Sequence, residues 1–106
     1  RIFNNLLANA AKFLTTERAG RIEVWREKKG ALHTFHVKDN GRGMSPGDTG
    51  KVFEIFRRLG EQDTEGEGVG LSYVKAAVRR CGGEIWCQSA LGKGTTFSFS
   101  LPDIKE

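Results

Sequence analysis

A chain of 106 residues with 38% hydrophobic and 28% charged residues has the size and composition of one soluble globular domain, so disorder is not expected and there is little room for a second core. Nothing approaches the run of about 18 apolar residues that spans a bilayer, and the start lacks the order of a signal peptide, so neither a span nor a leader is expected. The net charge of +4 suits a compact anion as well as a polyanion, because the basic residues are scattered and adjoin only at Lys28-Lys29, Arg57-Arg58 and Arg79-Arg80.

The first predicted element is a helix over "NNLLANAAKF", residues 4–13. It is expected to bury Leu6, Leu7 and Ala10, while Asn5, Asn9 and Lys12, spaced four and three apart, share another side. Asparagine is a middling-to-poor helix former, because its short amide competes for nearby backbone groups, so its presence at 5 and 9 points to a task beyond helix stability. Next, "RIEVWREK" alternates Ile22 and Val24 with charged neighbours, and "KG" turns into "ALHTFHVKD". Ala31, Phe35, Val37 and Asp39 are read on one strand face, so a hairpin ends on an inward carboxylate where a pocket opens.

"NGRGMSPGDTG" reads as loop by composition, and a short apolar piece, "KVFEIF", follows it. "RRLGEQDTEGEG" has few apolar residues and is expected to be a mobile excursion. From Val69 the helical spacing of Leu71, Val74, Val78 and Cys81 returns, until Gly82-Gly83 stops it. "EIWCQSA" and "TTFSFSL" are two strands joined by "LGKG", with Phe97, Phe99 and Leu101 as the buried face of the second. The order predicts an α+β layer, helices on one face of a largely antiparallel sheet. Cys81 and Cys87 read as reduced core thiols rather than a disulfide.

Two glycine-rich stretches carry the chemistry. "DNGRG" (Asp39 to Gly43) ends a strand, and "GEGVGL" (Gly66 to Leu71) opens a helix. Glycines let backbone amides approach a ligand, and a helix N-terminus offers unpaired amides and partial positive charge, so Gly66, Gly68 and Gly70 are placed to cradle phosphate. The spacing is neither the dinucleotide-binding fingerprint nor the Walker A loop. Asp39 has a turn role available, and as a partly buried carboxylate it would accept from a ligand amino group, worth roughly 1.5–3 kcal/mol when one partner is charged. That contact favours adenine over guanine. His33 and His36, three apart on a strand, face opposite sides and form no joint metal site. Phe53 and Phe56 read as core, with Arg57 and Arg58 within reach of a phosphate.

In this order and over essentially the whole chain, "NNLLANAAKF", "DNGRG", "FEIFRR", "GEGVGL" and "GKGTTFSFSLP" resemble the catalytic ATP-binding domain of bacterial sensor histidine kinases. That family belongs to a wider superfamily with gyrase, the ninety-kilodalton heat-shock chaperone and the mismatch-repair MutL proteins. The resemblance implies one domain over residues 1–106, trimmed at its N-terminal side. It implies a two-layer α/β sandwich of the Bergerat type: a mixed, mostly antiparallel sheet of about five strands backed by about three helices.

The resemblance further implies Mg²⁺-ATP as the bound species. Asn9 looks like the Mg²⁺ ligand, with Asn5 near the metal or phosphates, Lys12 on a phosphate and Phe13 near the adenine. Asp39 looks like the adenine-reading acid, supported by Gly41, Gly43 and Thr95. Gly66, Gly68, Val69, Gly70 and Leu71 are expected to line the triphosphate, with residues 59–67 as a lid and Arg58 as a phosphate partner. Asn5 stands where hydrolytic relatives carry a water-activating glutamate, so efficient hydrolysis is not expected. Neither histidine has the phosphoacceptor context, so the acceptor would come from a separate helical dimerisation domain, with a response regulator downstream.

No nucleic-acid contact is expected, because the aromatics alternate with the core pattern rather than lining a basic face. No membrane contact by this domain is expected either, and the expected location is cytoplasmic, with any membrane anchor in the parent protein outside this domain. The rival readings are an anti-sigma-factor serine kinase of the same superfamily and a non-catalytic interaction adaptor.

Overall fold

The computed structural model describes residues 2–53 and 67–103, with the backbone alone at 67–70. In chain order the elements are α1 (Ile2–Lys12), β1 (Ile22–Lys29), β2 (Leu32–Asp39), α2 (Pro46–Lys51), α3 (Glu67–Arg80), β3 (Glu84–Ala90) and β4 (Gly94–Pro102). The strands form one sheet in the order β1-β2-β4-β3. Two short hairpins, β1-β2 and β3-β4, meet through β2 and β4, and every pairing is antiparallel. The α+β two-layer arrangement is as expected. The sheet among the described residues has four strands rather than about five, and no parallel pair, because neither hairpin connection is long enough for a crossover.

The core lies between this sheet and α1 and α3, which pack on each other and on its inner face. Leu6 and Ala10 of α1 meet Val74 and Val78 of α3 over Val37, Phe97 and Phe99, all buried. Phe3 sets its ring edge-on to Phe35 and Phe99, at centroid distances of 5.6 and 5.3 Å. Burying such side chains contributes about 1.5–3 kcal/mol each, which is what holds α1 to the sheet despite its asparagines.

Several expectations change. Leu7 is exposed: one residue beyond Leu6 turns about 100° around the helix, off the line running through Leu6, Ala10 and Phe13. Ala31 lies in the turn, and the inner face of β2 is His33, Phe35, Val37 and Asp39. Val24 stays half exposed on the edge strand. The stretch read as loop contains α2, started by Ser45, whose hydroxyl accepts from Asp48 N–H at 3.2 Å, and by Pro46 in the first turn.

α3 ends where predicted. Gly82 N–H donates to Arg79 O and Gly83 N–H to Val78 O, the pair of hydrogen bonds of a Schellman close. Cys81 therefore falls in the turn after the helix and is exposed, not core, and both cysteines are free thiols. No helix among the described residues is long and apolar enough to cross a membrane.

Candidate functional site

The inner face of the sheet ends at Asp39 and, directly across the ladder, Thr95. Parity along β2 puts Asp39 on the side of Phe35 and Val37, so the carboxylate enters the layer between sheet and helices. Asp39 is 1% exposed and Thr95 2%. Oδ1 accepts the Gly41 N–H at 2.8 Å, whereas Oδ2 is buried with no partner among the described residues. Burial pushes the Asp39 pKa above its ordinary value, and the backbone N–H groups of Gly41 and Thr95 pull it back. Beside it, burial and then the Asp39 charge push the Cys87 thiol up to about 12.

The "DNGRG" loop runs close to the end of α1. A Cβ on Gly41 would stand 2.2 Å from the carbonyl oxygen of Phe13, and one on Gly43, where φ is +74°, 2.0 Å from that of Ala90. Only glycine fits either place. Arg42 N–H donates to Phe13 O at 3.0 Å, and Gly92 N–H to Arg42 O at 2.7 Å, which ties α1, this loop and the β3-β4 turn together. Phe13 is buried, with the Arg42 guanidinium 4.5 Å and the Lys12 ammonium 5.8 Å from its ring centroid.

Asn9, midway along α1, has a buried Nδ2 with no partner among the described residues. Asn5 precedes it by one turn and is half-buried. Leu71 is buried in the core, while Gly68, Val69 and Gly70 lie in the first turn of α3. Arg58, Gly66 and the 59–66 part of the expected lid lie outside the described residues. No group of three or more His, Cys, Asp or Glu among the described residues could hold a metal. A Mg²⁺ carried in on phosphates needs only one or two protein oxygens, so the Oδ1 of a single amide such as Asn9 would suffice, while its unpartnered buried Nδ2, a donor, would suit a phosphate oxygen rather than the metal.

The two histidines have structural partners, as expected of them. His33, on the inner face, pairs with Asp103 and lowers that carboxylate's pKa, chiefly through the hydrogen bond. His36, on the outer face, meets Ser98 Oγ at 2.7 Å and Glu27 Oε1 at 2.8 Å. Cys87, Phe53 and Phe97 close the inner face, with Phe53 edge-on to Phe97 at 5.9 Å.

Four contributors escaped the sequence reading. Ser89 Oγ takes the Met44 N–H at 2.8 Å and reaches Thr95 Oγ1 at 2.7 Å, and Met44 itself is buried. Arg18 donates to the carbonyls of Asn40, Gly41 and Gly92. Asn40 clasps the loop after α1, accepting from Arg21 N–H at 2.8 Å and donating to Ala19 O at 2.9 Å. Ser89 alone had a usable signal, being the hydroxyl on the inward period of "EIWCQSA" after Ile85 and Cys87.

The model of the family described as "Histidine kinase-, DNA gyrase B-, and HSP90-like ATPase" matches residues 1–105. The phytochrome-like protein Cph1 of Synechocystis sp. is 37% identical over 102 residues, 95% of this chain and 14% of that protein. The mycobacterial sensor histidine kinase MprB superposes with a TM-score of 0.81 at 30% identity, over 95% of this chain and 69% of that one. Full-length ShkA in complex with AMPPNP gives 0.81 at 30% identity, over 99% of this chain and 21% of that one. The chain thus spans a small part of such a relative as Cph1. With a match over nearly its full length, it belongs to the histidine kinase-, DNA gyrase B- and HSP90-like ATPase family, and its fold is the one seen in histidine kinases.

Proposed function

We propose that this chain binds Mg²⁺-ATP and, within a longer kinase, presents the γ-phosphoryl group to a histidine on a separate helical domain, from which a response regulator is served. The observation that carries the reading is the buried, unpartnered Oδ2 of Asp39. A buried acceptor without a donor costs roughly 1–3 kcal/mol, and the exocyclic amine of adenine would supply that donor. Thr95, Gly41 and Gly43 shape this end, with Phe13 buried nearby under two cationic side chains.

The phosphates would run from there toward Lys12 and the N-terminal turn of α3, where Gly68, Val69 and Gly70 offer backbone amides and Leu71 anchors the turn in the core. Gly66 and Arg58 are proposed partners on the same path. Asn9, with Asn5 a turn away, would hold Mg²⁺, which when bound neutralises phosphate charge. The family match and the AMPPNP complex of ShkA support nucleotide binding.

Positioning is what this chain contributes to transfer. Asn5 is an amide and abstracts no proton from water, so bound ATP is expected to stay intact. His33 and His36 are both held in side-chain pairs on strands, which supports an acceptor histidine from elsewhere. Isothermal titration with Mg²⁺-ATP tests the binding step. A saturable heat is expected, with little phosphate release on long incubation. A folded chain that gives no heat up to millimolar nucleotide would sink the proposal.

A further inference from the structure

We propose that Ser89 is a positioning residue that fixes Thr95 as a hydrogen-bond acceptor, so that the site prefers a purine bearing an amino group to one bearing a carbonyl at the same position. The inference rests on the ATP reading above and concerns how the base is distinguished. Ser89 lies on β3 directly opposite Thr95 of β4, and Thr95 lies directly opposite Asp39 of β2, so the three form one cross-strand row on the inner face.

Proton accounting gives the row its polarity. Ser89 Oγ meets Met44 N at 2.8 Å, Gly94 O at 3.0 Å and Thr95 Oγ1 at 2.7 Å. A serine hydroxyl has one proton and two lone pairs. The Met44 amide only donates and the Gly94 carbonyl only accepts. Ser89 therefore gives its proton to Gly94, takes the Met44 N–H on one lone pair, and has one lone pair left for the Thr95 proton. All three contacts are satisfied in this arrangement, and Thr95 has no proton for a ligand.

What Thr95 has left to offer is a lone pair, directly across the ladder from Asp39, whose Oδ2 is unpartnered among the described residues. Two acceptors in one cross-strand row match an exocyclic amine, which carries two protons. A carbonyl there would face two oxygen lone pairs, a repulsive element of the kind on which discrimination depends. Without the Ser89 hydroxyl, the Thr95 proton is released and can turn to a ligand carbonyl.

The experiment titrates wild type, Ser89→Ala and Ser89→Thr with Mg²⁺-ATP and with the magnesium complex of inosine triphosphate, in which a carbonyl replaces the amino group. Wild type is expected to prefer ATP, Ser89→Ala to shrink that preference by about tenfold, and Ser89→Thr to restore it. A folded Ser89→Ala chain with the wild-type preference overturns the inference and leaves ATP binding standing. Equal weakening of both nucleotides also overturns it, because that is the mark of a purely structural role. A wild type that binds neither nucleotide fails the ATP reading itself. If Ser89→Ala does not fold, Thr95→Val serves instead: a narrowed preference supports the inference, and an unchanged one overturns it.

Discussion

Two polar clusters occupy opposite faces of the same central strands. On the outer face, His36 of β2 has both ring nitrogens engaged, by Ser98 Oγ and Glu27 Oε1, and Trp25 stacks on it at a centroid distance of 4.8 Å. On the inner face, three residues along the same strand, Asp39 has one oxygen engaged by Gly41 and the other by nothing among the described residues. Ser98 and Asp39 are equally shielded, each 1% exposed. One cluster is closed by the protein itself, as folding stability favours. The other is left open where an open acceptor is costly, and that expense makes sense only if something else completes it.

The largest disturbance of the open cluster should come from Gly41→Ala. Its Cβ would meet the backbone Phe13 O at 2.2 Å and Asp39 Oδ1 at 3.0 Å, so the backbone itself would have to shift. A loss of about 3 kcal/mol is expected, seen as a drop of about 15 °C in melting temperature, with ATP binding abolished.

Asp39→Asn tests the open acceptor without crowding it. ATP affinity should fall by about ten- to a hundredfold while the fold stays cooperative; an unchanged dissociation constant would remove Asp39 from base recognition. Because burial raises the Asp39 pKa above 3.8, the folded chain binds this proton more tightly than the unfolded one. The resulting stabilisation is complete below that value and is lost as pH rises through the folded pKa. The asparagine variant escapes this loss, so it should gain on wild type in melts at neutral pH and lose the advantage in acid. Binding runs the other way: wild-type affinity for ATP should decline as acid protonates the acceptor, and the variant should lack that titration.

The smallest effect belongs to the closed cluster. Ser98→Ala removes one partner of His36 and should cost about 1 kcal/mol in a denaturant titration, with ATP affinity unchanged within about twofold. A tenfold loss of affinity would show that the two faces are not independent.

The inward direction of Asp39 was legible because strand parity carries it from Phe35 and Val37, and the α1 stripe was legible apart from Leu7. Local chemistry also marked the end of α3. What stayed hidden depends on partners far along the chain. Arg18 reaches Gly92 and Ser89 reaches Met44, separations for which no periodicity exists to be read. α2 was hidden by its own composition, since glycine and threonine imitate a loop while Ser45-Pro46 starts a turn of helix.

Arg18 gathers neutral carbonyls, and the end proposed to hold the base is built from buried oxygens and backbone amides. Lys12, in contrast, on the proposed path of the phosphates, is an exposed cation. Added electrolyte shortens the reach of exposed charges to about 10 Å at 0.1 M and less beyond, and leaves neutral buried contacts almost untouched. The two ends of a bound nucleotide would thus answer to different solution variables, acidity governing how the base is held and ionic strength governing how the phosphates are.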